Sequence, residues 1–563
     1  MMRHFIGKLT FVLGCAACTA LPARAQTTNH NFEVMKHLDI FNQLYRELDL
    51  FYVDTLSAKK NIGNAINYMF EMIDPYTEYY AAENTNDLKQ MTTGKYAGIG
   101  SVISYRDELK RCIIEKPYEG NPAADAGLLP GDIILAIDGK DIPTCDSKDL
   151  EKRAEYSNSV STGLRGEPGT TLELKVRRPT NNRTYTFKVT RRSILIPSVA
   201  LATVLSDSIG YIKITQFIEG TSNEVRRAMV DLKQQGARSL ILDLRNNPGG
   251  VLEEAVKTVN LFIPRGREVV NMKGKVKEAN QMYKTVLDPQ DPDIPLIVLT
   301  NEQSASSSEI TAGALQDYDR ALIVGRRTYG KGLVQQSREL AYKGALKLTV
   351  GKYYIPSGRC VQAYEFRDGM PVHRPDSLSR EFRTANGRIV RDGGGIKPDV
   401  EIKSDSLPNL LAYMDASTQL FDFCVNYCAK HPKIAQPEDF SISDDEYADF
   451  CEFMKKHKFT YDRQSLRVLE TLKTFARFEG YDTEARAEIE ALEKKLKHNE
   501  DYDFKRWKPE IKKVLEAAIV ERYYFDAGRY RYLLRTDKEV QQAVKLMRNT
   551  KAMLKTLSGE PEA

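Results

Sequence analysis

The chain has 563 residues, 42% hydrophobic and 28% charged, with a formal net charge of +5. At roughly 100–200 residues per domain, that length exceeds a single hydrophobic core and implies about three to four domains. The basic residues are spread along the chain, which excludes the concentrated positive footprint of a nucleic-acid binder.

Met1 to Lys8 carries Arg3, His4 and Lys8, an apolar run fills 9–17, and Leu21-Pro-Ala-Arg-Ala25 ends in small residues. That layout predicts a secretory signal peptide over 1–25 and an exported, periplasmic or cell-envelope protein. Cys15, after Val12-Leu13-Gly14, offers lipidation as the minor alternative. No later run approaches the ~18 apolar residues of a membrane span. Six cysteines follow the cleavage point, at 112, 145, 360, 424, 428 and 451, scattered rather than arranged as a framework. Cys424 and Cys428 share a helix face near His431 and Cys451, but without a C-x-x-C pair they read as buried thiols and no metal is assigned.

Residues 26–92 read as a helical region, with Phe32, Met35, Leu38, Phe41, Leu44, Leu48 and Tyr52 forming a stripe expected to be buried. Residues 93–194 change to short strands, at 98–104, 111–116, 132–137, 171–177 and 184–190. Asp138-Gly139 is a hairpin signal, and a short helix precedes Leu129-Pro-Gly-Asp132. Residues 195–405 alternate strand and helix: strands at 239–244, 295–300 and 321–325, helices at 252–261 and 307–316. That alternation predicts an α/β domain with a largely parallel sheet. Residues 406–563 form a charged helical region with capping boxes at Ser443/Glu446 and Thr536/Glu539. The stripes Tyr447, Phe450, Met454 and Val540, Val544, Met547 behind them are expected to pack inward.

Four serines crowd five positions, Ser304, Ser306, Ser307 and Ser308, ahead of Thr328-Tyr-Gly-Lys-Gly332. Ser306-Ser-Ser-Glu309 reads equally as a helix capping box. A serine at a helix mouth also lies where free N–H groups and the dipole stabilise an oxyanion, with the Ser307 N–H as one donor. The loop Leu244-Arg-Asn-Asn-Pro-Gly-Gly250 offers a second donor. Both loops follow strands of a parallel sheet, where such sites lie. Among seven histidines only His373 falls within 195–405, in a proline-flanked polar stretch that reads as surface loop. A Ser–His–Asp triad is therefore poorly supported. Lys331 is the other base, provided that burial lowers it from its reference value of ~10.4; the competing reading is a solvated turn lysine.

The pattern over 93–194 resembles a PDZ domain. Ser304-Ala-Ser-Ser-Ser-Glu-Ile310, Ala312-Gly-Ala-Leu-Gln-Asp317, Thr328-Tyr-Gly-Lys-Gly332, Asp243-Leu-Arg-Asn-Asn-Pro-Gly-Gly250, Tyr354-Ile-Pro-Ser-Gly-Arg359 and Gly394-Gly-Ile-Lys-Pro-Asp399 resemble the carboxyl-terminal processing, or tail-specific, proteases. The resemblance covers roughly residues 60–405. It implies a crotonase/ClpP-like α/β protease core with an inserted PDZ domain, Ser306 as nucleophile, Lys331 as base and Gln335 as polar helper. It further implies oxyanion donors at Ser307 and Gly249, with support from Asp317 and no cofactor. Tyr96 to Ser101 matches the PDZ carboxylate loop, with Gly98, Ile99, Gly100 and Ser101 facing a free C-terminal tail. The helix walling the peptide groove reads polar and extended, over 146–159, which leaves the pocket side chains unassigned. The implied partners are protein or peptide substrates with free tails, plus a second copy or adaptor on 406–563. A non-catalytic tail-binding scaffold and a crotonase-like acyl-CoA enzyme are the alternatives.

Overall fold

The computed structural model describes residues 22–403, 407–497 and 500–559. The expected leader, with Cys15, lies mostly outside the described residues. The chain divides into two compact units, one running to Tyr79 together with Phe366–Met370 and one holding the rest.

The first unit contains α1 (Pro22–Phe51) and α2 (Ala58–Glu71). The Ser57 side chain accepts the Lys60 N–H and so starts α2. The stripe on α1 differs from expectation: Phe32, Met35, Leu38, Phe41, Leu44 and Leu48 are exposed. Its spacing is that of a packed helix, but no described element of this unit covers it.

The second unit opens with α3 (Thr85–Thr93) and β1 (Lys95–Gly98), then β2 (Ser101–Arg106), β3 (Arg111–Pro117), α4 (Pro122–Asp125), β4 (Ile133–Ile137), α5 (Leu150–Leu164), β5 (Thr171–Arg178), β6 (Arg183–Thr190) and β7 (Arg192–Leu195). Strands β2 to β6 pair antiparallel in the order β2-β3-β4-β5-β6, and β1 pairs with β7. Leu172, Leu174 and Val176 alternate inward from β5 and meet Val160 and Leu164, one turn apart on α5. The groove helix starts later than expected, because Asp149 accepts the Glu151 N–H at 2.9 Å and caps it there. The expected first strand breaks at Ile99-Gly100, where Gly100 takes a φ of +70°.

The core follows as β8 (Val199–Val204), β9 (Ile209–Ile214), α6 (Thr221–Gln234), β10 (Ser239–Asp243), α7 (Leu252–Val259), β11 (Glu268–Gly274), β12 (Gln281–Lys284), β13 (Leu296–Thr300), α8 (Ser307–Asp317), β14 (Leu322–Gly325), β15 (Leu333–Glu339), β16 (Ala345–Tyr354) and β17 (Val400–Glu401). One sheet runs β8-β9-β10-β13-β14-β17, parallel from β9 onward. A second, antiparallel layer runs β15-β16-β11-β12. Side chains of the main sheet alternate between its faces. Ile212, Leu240, Leu242, Leu296, Val298 and Ile323 turn toward α6, α7 and α8. Tyr211, Ile241, Ile297, Leu299, Leu322 and Val324 turn to the opposite face.

The C-terminal region adds α9 (Asn409–Asp415), α10 (Thr418–Lys430), α11 (Asp444–Lys456), α12 (Gln464–Glu479), α13 (Arg486–Leu496), α14 (Glu500–Arg506), α15 (Lys508–Leu534), α16 (Lys538–Arg548) and α17 (Thr550–Ser558). Helices α9 to α11, α14 and α15 share a core around Phe450 and Ile519. Phe421 of α10 packs on Ile113 and Ile133 of the PDZ-like sheet. Val540, Ala543, Val544 and Met547 of α16, with Met553 and Leu557 of α17, cover the second face of the main sheet. The capping box expected at Ser443 is formed. The one expected at Thr536 is not: Asp537 accepts the Val540 N–H at 3.0 Å and is the cap.

Candidate active site

Strands β10, β13 and β14 end side by side, and three loops leave their carboxyl ends. The loop after β13 delivers Ser306 to the mouth of α8. Ser306 sits at φ +54°, ψ −114°, a conformation an L residue rarely adopts and one that costs about 1–3 kcal/mol. The surroundings hold it there. Its N–H donates to Glu309 Oε2 at 2.9 Å, and its carbonyl accepts the N–H groups of Glu309 and Ile310 at 2.8 and 2.9 Å.

The neighbouring serines are laced to the loop after β10. Ser304 Oγ donates to the Leu244 carbonyl at 2.8 Å, Ser307 Oγ to Gly250 at 2.9 Å and Ser308 Oγ to Asn247 at 2.9 Å. Three hydroxyls thus join two loops, which gives a physical reason to separate Ser306 from its neighbours. Gly249 lies against this junction. A Cβ there would fall 2.7 Å from the Ala305 carbonyl oxygen and 2.8 Å from the Ser307 nitrogen, so only glycine fits.

The backbone around Gly249 is tied down on both sides. The Gly249 N–H donates to Asn247 Oδ1 at 2.9 Å. Gly250 is exposed, and its N–H finds no partner among the described residues. Its flanking groups are anchored instead: the Gly249 carbonyl accepts from Phe217 and the Val251 N–H donates to Phe217.

The loop after β14 carries Lys331, half-buried between two constrained glycines. A Cβ on Gly330 would meet that of Ala363 at 2.4 Å, and one on Gly332 would meet the Gln362 nitrogen at 2.7 Å. The Glu309 carboxylate, fully buried, ties this loop to the serine. Oε2 accepts the Lys331 N–H at 2.8 Å as well as that of Ser306, while Oε1 accepts the Gly330 N–H at 2.7 Å and the Thr328 hydroxyl at 2.6 Å. Burial raises its pKa above the ordinary carboxylate value, against the pull of these four donors. The buried Tyr353 hydroxyl adds a second tie, donating to the Lys331 carbonyl at 2.8 Å with the Ser306 carbonyl 3.3 Å away.

Ser306, Lys331, Gln335, Gly249, Gly250 and Tyr353 line one cavity of about 540 Å³. Gln335 Nε2 donates to Thr349 Oγ1 at 3.2 Å. Asp317 lies at the other end of α8 and does not line the cavity. It is buried against Arg359 at 2.8 Å and accepts the Ser357 N–H at 2.9 Å, and burial, opposed by Arg359, raises its pKa. His373 is exposed and stacks edge-on against Tyr364, off the cavity. In the PDZ-like module Gly98, Ile99 and Ser101 line a cleft of about 230 Å³ with Leu164 and Arg165. Gly100 stands just behind, where a Cβ would meet that of Asn121 at 2.5 Å. Among the described residues no cluster of His, Cys, Asp or Glu is placed to hold a metal, and no helix is long and apolar enough to cross a membrane.

Glu309, Tyr353 and Asn247 were not singled out as site residues by the sequence. Glu309 was visible only as half of a capping box, and Tyr353 only as the residue before Tyr354-Ile-Pro. Asn247 lay inside the glycine loop without a role of its own.

A serine at a strained helix mouth beside a cavity, in an α/β core that carries a PDZ module, defines a PDZ-containing serine protease. Residues 208–371 match peptidase family S41, residues 113–178 the PDZ domain, and residues 410–547 the family described as "Probable PDZ-protease, C-terminal helical domain". The carboxy-terminal-processing protease of Bartonella bacilliformis is 33% identical over 371 residues, covering 65% of this chain and 82% of its own. The "Probable CtpA-like serine protease" of Staphylococcus epidermidis is 33% identical over 399 residues, covering 70% and 77%. The solved photosystem II D1 C-terminal processing protease aligns over 65% of this chain and 87% of its own, at 26% identity and a TM-score of 0.34. The chain belongs to the carboxy-terminal-processing serine proteases of peptidase family S41.

Proposed function

We propose that Ser306 is the nucleophile and Lys331 its general base. The observation that carries this is Glu309 Oε2, which accepts the backbone N–H of both residues and so holds the two turns at one cavity. The neutral Lys331 amine takes the Ser306 proton as Oγ attacks the scissile carbonyl. The oxyanion forms against the N–H groups of Ser307 and Gly250, at the positive end of α8. The amine then protonates the leaving nitrogen, and the acyl-enzyme is hydrolysed with Lys331 again removing a proton, from water. Gln335 orients the amine or the substrate from β15. The reaction so written needs no cofactor.

The cleft between β2 and α5 takes the substrate's C-terminal tail. Backbone N–H groups of the Gly98–Ser101 loop hold the terminal carboxylate, and Leu164 and Ile99 give it an apolar floor. We also propose export through the leader at 1–25, and a docking site for a second copy or adaptor on α12, where Val468, Leu472, Phe475 and Phe478 are exposed along one face.

The test is hydrolysis of a tail-bearing peptide across pH, with serine labelling by a fluorophosphonate. Turnover should rise with pH as the amine loses its proton. Ser306→Ala should abolish both turnover and labelling. Lys331→Ala should abolish turnover while the fold, read by its melting temperature, stays intact. Near-normal turnover in either variant would falsify the dyad.

A further inference from the structure

The three loops that carry the proposed chemistry are joined at a second point, on the side away from Glu309, by the start of α16. Arg245 belongs to the loop after β10, Glu302 to the serine turn after β13 and Arg326 to the loop after β14. Arg245 Nη1 donates to Glu539 Oε2 at 2.6 Å and to Asp537 Oδ1 at 3.1 Å, and its Nη2 donates to Asp537 Oδ2 at 2.8 Å. The other oxygen of Glu539 accepts from Arg326 Nη1. Arg326 Nε in turn donates to Glu302 Oε2 at 2.7 Å. One carboxylate of the C-terminal region therefore reaches all three catalytic loops, two directly and the third through Arg326.

The clamp is built, not incidental. Asp537 is the cap of α16, and the four apolar residues behind it are fixed on the sheet directly below the loops. The side chains of Arg245, Asp537 and Glu539 are only 13%, 20% and 11% exposed, so solvent screens them far less than a surface pair. Arg245 is held from the opposite side by Asp243, which also accepts its backbone N–H at 2.8 Å. A bidentate guanidinium between two fixed carboxylates leaves the loop after β10 little freedom. Catalysis by positioned groups is sensitive to displacements near 1 Å, which can cost about 10²-fold.

We propose that Glu539, assisted by Asp537, is a positioning residue of the protease: the C-terminal helical region sets the alignment of the oxyanion loop, the serine turn and the lysine turn. This rests on the reading of Ser306 and Lys331 above. It makes α16 part of the catalytic apparatus although no atom of it lines the cavity.

The test is a double-mutant cycle in the full-length chain. Glu539→Gln removes one charge at nearly constant shape, Arg326→Gln removes the guanidinium that bridges Glu539 and Glu302, and Asp537→Asn keeps the cap. Expected are a ten-fold or larger fall in kcat for Glu539→Gln with KM within two-fold, and unchanged affinity for a non-cleaved tail peptide. The double variant with Arg326→Gln should be no worse than the poorer single one. Glu539→Asp should recover part of the rate, and fluorophosphonate labelling of Ser306 should slow in parallel with kcat. Wild-type kcat in Glu539→Gln, strictly multiplicative losses in the cycle, or a fall in rate that only follows the unfolded fraction in a melt would each overturn the proposal. Lys331→Ala separates the two levels. If it stays active, the base assignment is lost; if it is inactive while Glu539→Gln is normal, only the clamp is lost.

Discussion

At Ser306, the proposed nucleophile, a single backbone angle bears on stability. Its φ of +54° is a left-handed conformation that glycine adopts freely, and the strain is the same for serine and alanine. Ser306→Gly should therefore melt higher than Ser306→Ala, by about 1 kcal/mol after glycine's greater unfolded-state entropy is counted. Equal melting temperatures in calorimetry would show that the angle is unstrained. Glu309 makes the opposite prediction. Both of its oxygens accept two donors, so an isosteric amide must turn an NH₂ toward N–H or O–H donors. Glu309→Gln should lower kcat/KM by at least about 10²-fold and reduce stability by about 2–3 kcal/mol, from donors left buried without acceptors. Steady-state kinetics with a urea titration checks both; a variant that is slow but fully stable would mean that Glu309 acts on the chemistry and not on the backbone. The sequence put Ser306, Lys331 and the Gly249-Gly250 pair in loops that follow strands, and they line one cavity with Gln335 of β15. The resemblance named Gly249 as the donor of that pair, but nothing in the residues themselves shows how each amide is used. That depends on where the Asn247 side chain points, a fact of three dimensions with no periodic trace in the sequence. Glu309 stayed hidden for a different reason, since a capping box and a tie between the two loops use the same residues at the same spacing.

At the scale of elements, the strands of the main sheet were legible because runs such as Leu240-Ile-Leu242 are apolar on both sides, as a sheet covered on two faces requires. The start of α5 and the cap of α16 were less so. Ser147 and Asp149, like Thr536 and Asp537, offer competing caps within one turn, and tertiary packing chooses between them. The end of β10 carries a prediction of its own. Asp243 is buried, which alone would raise its pKa, but Arg245, Lys213 and the Tyr211 hydroxyl outweigh burial and hold it far below the ordinary carboxylate range. A depressed folded-state pKa gives stability that is present above the unfolded value of ~3.9 and lost as pH falls below it toward the folded one. Asp243→Asn leaves Arg245 and Lys213 buried with less compensation, and should cost about 3–5 kcal/mol near neutrality. The gap between wild type and variant should then narrow steadily in melts taken below about pH 4. A gap that stays constant from pH 7 to pH 3 would show that folding does not lower the Asp243 pKa.

At the scale of the whole molecule, the C-terminal region is not an appendage. The stripe Val540, Val544, Met547 was expected to pack inward, and what it packs against is the protease sheet. The main sheet has α6, α7 and α8 on one face, while α16 and α17, with Tyr530 and Leu534 at the end of α15, pack against Tyr211, Ile241, Ile297, Leu299 and Val324 on the other. A parallel sheet with a bare apolar face is unstable in water. Removing residues 536–563 should therefore unfold or aggregate the protease core, even though the S41 match ends at residue 371. The PDZ-like module has its own core of Ile114, Ile134, Leu172, Val176 and Val189. Residues 93–195 alone should stay folded and bind a tail peptide. A gentler version separates packing from the clamp. Met547→Ala, three turns beyond Asp537, removes only buried apolar volume and should cost about 2–4 kcal/mol. It should leave kcat unchanged at temperatures where the protein is folded, because Asp537 and Glu539 still meet Arg245 and Arg326. If Met547→Ala instead melts like wild type, α16 does not complete the core, and the protease domain would have to be judged stable with one face of its sheet open.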